Sequence, residues 1–327
     1  MGGASNGFAG VVGMERCEMV RPRAYGPMAP DVAARSRGTT GGDAPTRARA
    51  TDVQRAEPPA EGLHFHVARS LEEVLEAWRL VYSACRHADL IEPNRQQVHF
   101  SPEAATPRSA VIIGRIRELT VSTLTAVADA ELPQEHRDGE GGQTMPPSGG
   151  LALDRTFRPE LDALRREGRR LMEVGLFADR RRHLSRTTES LLELMRYAFH
   201  YGLQQGVSDF VIGVCPGHAR FYQRLLGLEP ASDARRRGGV RAGAGFEPIM
   251  LMRGDLTRRL THLSPDGCHS ASPHPALAHF MRHPVAEGEL DGRFRFDPAR
   301  IDASPVGAYL RETGASGQWS HSTPGQA

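Results

Sequence analysis

Residues 169–178, RRLMEVGLFA, hold one glutamate inside an apolar run, and the reading of this stretch decides the fold. Leu171, Met172, Val174, Leu176, Phe177 and Ala178 make it a strand, with Glu173 set between Met172 and Val174. Beyond it, Thr187 or Thr188 can cap a helix whose buried face is Leu191, Leu194, Met195, Ala198 and Phe199, and Gly206 ends that helix. A second apolar run, DFVIGVC at 209–215, is a buried strand, and HARFYQRLLG at 218–227 is the helix after it. The stretch SDARRRGGVRAGAG at 232–245 is a loop or flap, and EPIMLMRG at 247–254 is the closing strand.

Upstream, Pro159 opens a short helix as an N1-type proline, and Gly168 ends it. Residues 133–150, rich in Gly, Pro and acids, read as an exposed loop. The runs SAVIIGRI and LTVSTLTAVADA, separated by Arg117 and Glu118, form a tight hairpin. Before them comes a long Pro-containing loop at 87–109. Ser70 and Glu73 form a capping box for a helix whose apolar stripe runs Leu71, Val74, Leu75, Trp78, Val81, Tyr82 and Cys85. Leu63, Phe65 and Val67 alternate with polar partners in a first strand. Strand, helix, hairpin, strand, helix, strand, helix, strand predicts an α/β fold with a mixed sheet and helices on both faces.

Residues 1–60 lack a sustained apolar period, and we expect them to be disordered. The domain is expected over 61–255. Residues 256–315 form an appendage packed on it, with HPALAHFMRHPV and SPVGAYLRE as helices and GRFRFDP as a strand. Residues 316–327 are expected to be a loose tail.

Charge and cysteine usage narrow the chemistry. The net charge of +2 gives no bulk field for nucleic acid. All 41 permanently basic residues are arginine, which excludes lysine as base, Schiff-base former or phosphate clamp. Cys17, Cys85, Cys215 and Cys268 match neither a metal spacing nor a disulfide framework. His279 and His283 are four residues apart, but the FMR between them lacks the glutamate of a zinc-protease motif, and we expect no metal. No apolar run approaches the roughly 20 residues of a membrane span, and the N-terminus has no signal-peptide pattern, so the expected location is the cytoplasm.

Four pieces together carry a resemblance: EAWRLVYSACRHADLIEPN, TLTAVADAE, LDALRREGRRLMEVGLFADRR and CPGHARFYQRLLGLEP, across roughly residues 65 to 255. They resemble the long-chain N-acyl amino acid synthase family, which has the GNAT acyltransferase fold and is related to the autoinducer synthases. The resemblance implies a GNAT-like, mostly antiparallel mixed sheet. It also implies transfer of a fatty acyl group from acyl carrier protein to the amino group of an amino acid, with no permanently bound cofactor.

The donor, on this resemblance, is acyl-phosphopantetheine on its carrier, or acyl-CoA. Related CoA-dependent enzymes carry a glycine-rich turn that cradles a pyrophosphate; here the turn is RRRHLSRTTES, without glycine. Arg180, Arg181, Arg182 and Arg186, with Ser185 and Thr187 at the helix start, either meet the single phosphate or the acidic carrier, or are a solvated arginine run.

Aminolysis of a thioester needs a base for the ammonium, donors for the oxyanion and a proton for the leaving thiolate. A buried Glu173 suits the base role, its pKa raised by burial; the other reading is a structural carboxylate paired to Arg169 or Arg115. Backbone N–H groups around Leu176 and Phe177 polarise the carbonyl if the strands splay there. Tyr222 stands where many GNAT-fold enzymes place the proton donor for sulfur, and His218 lies one helical turn before it. Packing and ordinary helix-start roles stand beside these readings. Asp129 is a candidate for the acceptor's amino group and Arg115 or Arg117 for its carboxylate, or they are simple hairpin charges. Three further readings are a CoA-dependent N-acetyltransferase, a homoserine-lactone synthase, and a module that binds an acyl carrier without turnover.

Overall fold

The structure, a computed structural model, describes residues 62–130, 150–181, 184–236, 248–256, 274–297 and 301–313. The expected disorder of 1–60, the loose tail of 316–327, and most of the 133–150 loop and the 232–245 flap therefore lie outside the described residues.

The strands are β1 (Leu63–Val67), β2 (Ser109–Ile116), β3 (Leu119–Ala128), β4 (Leu171–Asp179), β5 (Asp209–Val214), β6 (Glu229–Pro230), β7 (Arg235–Arg236) and β8 (Pro248–Asp255). They form one sheet in the order β1-β2-β3-β4-β5-β8-β6, with β7 also on β8. Every pairing is antiparallel except β4 with β5. This is the mixed, mostly antiparallel GNAT-like sheet, with helices α1 (Leu71–His87), α2 (Asp154–Arg166), α3 (Leu184–Gln204) and α4 (Ala219–Leu226) over its faces. Helices α5 (Pro275–Arg282), α6 (Glu287–Asp291) and α7 (Pro305–Glu312) follow.

Two apolar layers flank the sheet. One gathers Val74, Trp78 and Val81 of α1, Leu161 of α2 and Tyr309 and Leu310 of α7. The other gathers Leu194, Ala198 and Phe199 of α3, Tyr222 and Leu226 of α4, and Leu277 and Phe280 of α5. Trp78 is fully buried and stacks on Phe100 at 4.0 Å and Phe296 at 5.6 Å between ring centres.

The sequence expectations need four corrections. Ser70 does cap α1 through the Glu73 N–H, but the Glu73 carboxylate reaches back to the Arg69 N–H, one residue further out than a capping box. Helix α2 begins at Asp154, so Pro159 lies inside it, and the backbone breaks from helical form at Phe157. Helix α3 begins before the expected threonine caps; Thr187 lies within it, its hydroxyl donating to the Arg181 carbonyl. Residues 294–297 form no strand: Phe294 donates one backbone bond to Ala68, and Phe294 and Phe296 pack inward instead.

Candidate active site

The site is built where β4 and β5 part. Their parallel register covers Leu171–Asp209, Met172–Phe210 and Glu173–Val211 and then stops, although β4 runs on to Asp179 and β5 to Val214. Glu173 is thus the last residue of β4 held by β5. On its other edge β4 stays with β3, but the register passes from Thr125–Gly175 to Thr123–Ala178. Leu176 and Phe177 therefore stand opposite the single residue Leu124, a bulge in β4. Leu176 has φ of 52° to make it, a left-handed conformation costing a leucine roughly 1–2 kcal/mol. The splay that the oxyanion reading required is present, and the bulge beside it turns the backbone out of the ladder.

Glu173 is 5% exposed, and its Oε2 accepts the Leu153 N–H at 3.0 Å. Leu153 has room because β5 carries glycine opposite it: a Cβ on Gly213 would lie 2.7 Å from Leu153 Cδ2. Arg169 and Arg115, the two expected structural partners of Glu173, go elsewhere. Arg169 pairs with Asp209 at 2.5 Å and Asp255 at 2.6 Å, and Arg115 with Glu73 at 3.1 Å.

Asp129 is no exposed hairpin charge. It is 10% exposed and takes Arg165 Nε at 2.6 Å; burial pushes its carboxyl up despite that partner. Arg165 also grips both oxygens of Asp154, at 2.7 and 2.9 Å, and one of Asp162 at 2.8 Å. Asp154 Oδ2 in turn accepts the Leu151 N–H at 2.7 Å. Sequence reasoning missed Asp154 and Arg165, whose only local sign is the Asp162–Arg165 helical spacing.

The proposed acceptor pair is corrected by topology. Asp129 follows β3 and bonds the Leu171 carbonyl, while Arg115 pairs with Thr120 beside the β2–β3 turn. Nine residues of strand separate these levels, roughly 30 Å at about 3.3 Å per residue. One amino acid, whose charged ends sit a few ångströms apart, cannot bridge them.

Of the residues expected to bind the donor, Leu176 and Phe177 are both 3% exposed and belong to opposite layers of the core. Arg181 turns inward: its backbone N–H and its guanidinium bind Asp179 at 2.7 to 3.1 Å, and it also donates to the Arg186 carbonyl and the Ser190 hydroxyl. Burial raises the Asp179 carboxyl, opposed by these bonds. Thr187 is buried, and Arg186 is exposed. Arg182 lies outside the described residues, as does the side chain of Ser185.

After β5, Pro216–His218 make a 3-10 turn, and His218 is the N-cap residue of α4, half-buried. Tyr222 is 4% exposed and meets Phe221 edge-on at 5.2 Å. It packs in the layer of α3 and α4. Glu173 alternates with Met172 and Val174, which belong to that layer, and bonds Leu153 of the other. The carboxylate and the phenol therefore belong to opposite faces of the sheet, with the β4–β5 gap between them. Gly227, at φ of 65°, closes α4 through its N–H to the Tyr222 carbonyl.

His279 and His283 have ring centres 4.7 Å apart, and His279 Nε2 lies 2.8 Å from Glu193. Among the described residues, no cluster of three or more His, Cys, Asp and Glu is placed to hold a metal ion. No helix of the described residues is long and apolar enough to cross a membrane.

Residues 142–255 match the family described as N-acyl amino acid synthase FeeM, a span that takes in α2, the β4–β5 fork, α3, α4 and β8. No curated protein matches the chain. Among solved structures, FeeM, an N-acyl amino acid synthase from uncultured soil microbes, is similar at 19% identity and TM-score 0.46, over 62% of this chain and 98% of that one. The AHL synthase LasI is similar at 15% identity and TM-score 0.39, over 59% and 89%. An N-acetyltransferase from Staphylococcus aureus Mu50 is similar at 8% identity and TM-score 0.37, over 60% and 98%.

Proposed function

We propose that this chain is an N-acyltransferase that moves a long-chain fatty acyl group from acyl carrier protein to the amino group of an amino acid or similar amine. The observation that carries the reading is the fork: β4 and β5 part immediately after a buried glutamate, with a left-handed bulge three residues further on. The match of residues 142–255 to N-acyl amino acid synthases supports the same chemistry.

In this reading the pantetheine arm enters the gap between the strands. Glu173 takes a proton from the ammonium, directly or through water, and the freed amine attacks the thioester carbonyl. Backbone N–H groups at Leu176 and Phe177 receive the oxyanion. The nitrogen gives its second proton to water as the C–N bond is completed and the C–S bond breaks, and the thiolate takes a proton from the Tyr222 and His218 side. Helix α4 follows β5 directly, which sets these residues at the carboxyl ends of the two parallel strands, the usual place for a ligand crevice. The glycine-free turn before α3 favours a carrier-borne arm over a free pyrophosphate, and Arg182, Ser185 and Arg186 are the residues we assign to its phosphate or the carrier. The catalytic unit is residues 61–255, with 256–315 as an appendage, and the setting is the cytoplasm.

Mass spectrometry of lipid extracts from cells expressing the wild type or Glu173→Gln tests this. N-acyl amino acids in the wild type alone support it, and their masses name chain and acceptor. With purified protein, acyl carrier protein thioesters are expected to serve where the matching acyl-CoA does not. No N-acylated product from either donor, with the protein folded, would sink the proposal.

A further inference from the structure

Helix α2 starts without a side-chain cap at Leu153 and leaves helical form at Phe157, so its own first turn is weakly held. Yet this turn carries the Leu153 N–H that meets Glu173. What fixes it is Arg165, two turns further along on the regular part of the helix. Arg165 binds both oxygens of Asp154 in a fork-to-fork pair, the strong geometry for a guanidinium and a carboxylate. Asp154 fastens the Leu151 N–H, so residues 151–154 are tied from both ends.

The same arginine reaches the strand that carries Glu173. Its Nε binds Asp129, and the Asp129 N–H donates to the Leu171 carbonyl at 2.9 Å, two residues before Glu173. A closed circuit results: Glu173, β4 to Leu171, Asp129, Arg165, Asp154, Leu153 and back to Glu173. Arg165, Asp129 and Asp154 have side chains 10–11% exposed and Glu173 is 5% exposed, so solvent screens them little. Without the cation, two buried carboxylates would face each other across the start of α2.

We propose that Arg165 is a positioning residue for Glu173, acting through Asp154 and the Leu153 N–H. This rests on the reading of Glu173 as the base. Arg165 sets the distance between the turn that donates and the carboxylate that accepts. A base displaced by about 1 Å loses on the order of 100-fold in rate.

The test follows the Leu153 amide by 1H–15N NMR in leucine-labelled protein, alongside steady-state kinetics. In Arg165→Met the Leu153 resonance is expected to move toward its position in Glu173→Gln and to exchange its proton at least about tenfold faster, with the Leu194 and Leu251 amides unchanged. The kcat is expected to fall roughly 10- to 100-fold with the acceptor KM within about twofold. Arg165→Lys recovers part of both effects. If Arg165→Met does not fold, Asp154→Asn, nearly isosteric, carries the same expectations. A Leu153 amide unmoved in a folded variant overturns the proposal, and so does a moved amide with kcat intact. Wild-type turnover by Glu173→Gln would remove the base reading instead, while the amide of Leu153 would still decide whether Arg165 governs the contact.

Discussion

Arg169 Nε sits 2.5 Å from Oδ2 of Asp209, which is wholly buried at the closed end of the β4–β5 fork. Arg253 of β8 binds the other oxygen at 2.6 Å, so one carboxylate joins three chain segments. Asp209→Ala leaves Arg169 and Arg253 with Asp255 alone between them. It is expected to cost about 1.5–3 kcal/mol in urea unfolding, the loss of hydrogen bonds to a charged group. A loss below about 1 kcal/mol would mean that the pairing β4–β5 does not depend on this cluster.

Leu176 holds its bulge in a conformation that β-branched residues avoid. Leu176→Ile keeps the volume but is expected to lose about 1–3 kcal/mol more than Leu171→Ile, a control on the same strand with ordinary backbone. Turnover of an acyl thioester should fall in the first variant and hold in the second. Equal stabilities of the two would show that the bulge relaxes without cost.

Tyr201 is fully buried, its hydroxyl donating to the Arg108 carbonyl at 2.8 Å, and burial pushes its pKa up from 10.0 to about 12. The sign follows from which state binds the proton: above pH 10 the unfolded tyrosine ionises while the folded one keeps its proton. The stability it contributes is therefore whole below pH 10 and is lost as pH rises toward about 12. Urea melts at pH 9 and 11 are expected to show a smaller alkaline loss in Tyr201→Phe than in wild type. A wild-type slope in the variant would refute the assignment.

Arg115 is committed to Glu73, whose carboxyl is held below its usual value. Burial acts against that, but the Arg69 N–H, His66 and Arg115 prevail. Arg115→Gln should leave the acceptor KM within about twofold, since the residue lies far from the fork. A charge-assisted contact to the acceptor's carboxylate would instead raise KM at least about tenfold. Steady-state kinetics with the identified amine separates the two.

Much of this molecule could be read from local pattern. The runs that became β4 and β5, the Ser70 cap and the Gly206 and Gly227 stops are written in neighbouring residues, and the sheet class followed from their order. The errors share a cause. The start of α2 depends on Asp154 meeting Arg165, and the 292–298 stretch shows strand-like alternation but finds no ladder, because Phe294 and Phe296 are drawn onto Trp78's cluster. Glu173 was visible as an anomaly in an apolar run; its Leu153 partner, twenty residues earlier, was not. The same holds for Asp129 and Arg115, which look like one hairpin's charges until the register sets them at opposite ends.

Trp78 also bears on when the domain can be completed at the ribosome. It lies in α1, yet the rings that shield it include Phe296, and Phe100 beside it leans on Tyr309 at 4.7 Å. More than two hundred residues of synthesis separate the tryptophan from these covers. Until residues 296–310 leave the exit tunnel, the indole has Phe100 and the sheet but lacks the Phe296 ring, so the layer over α1 is completed only late in synthesis.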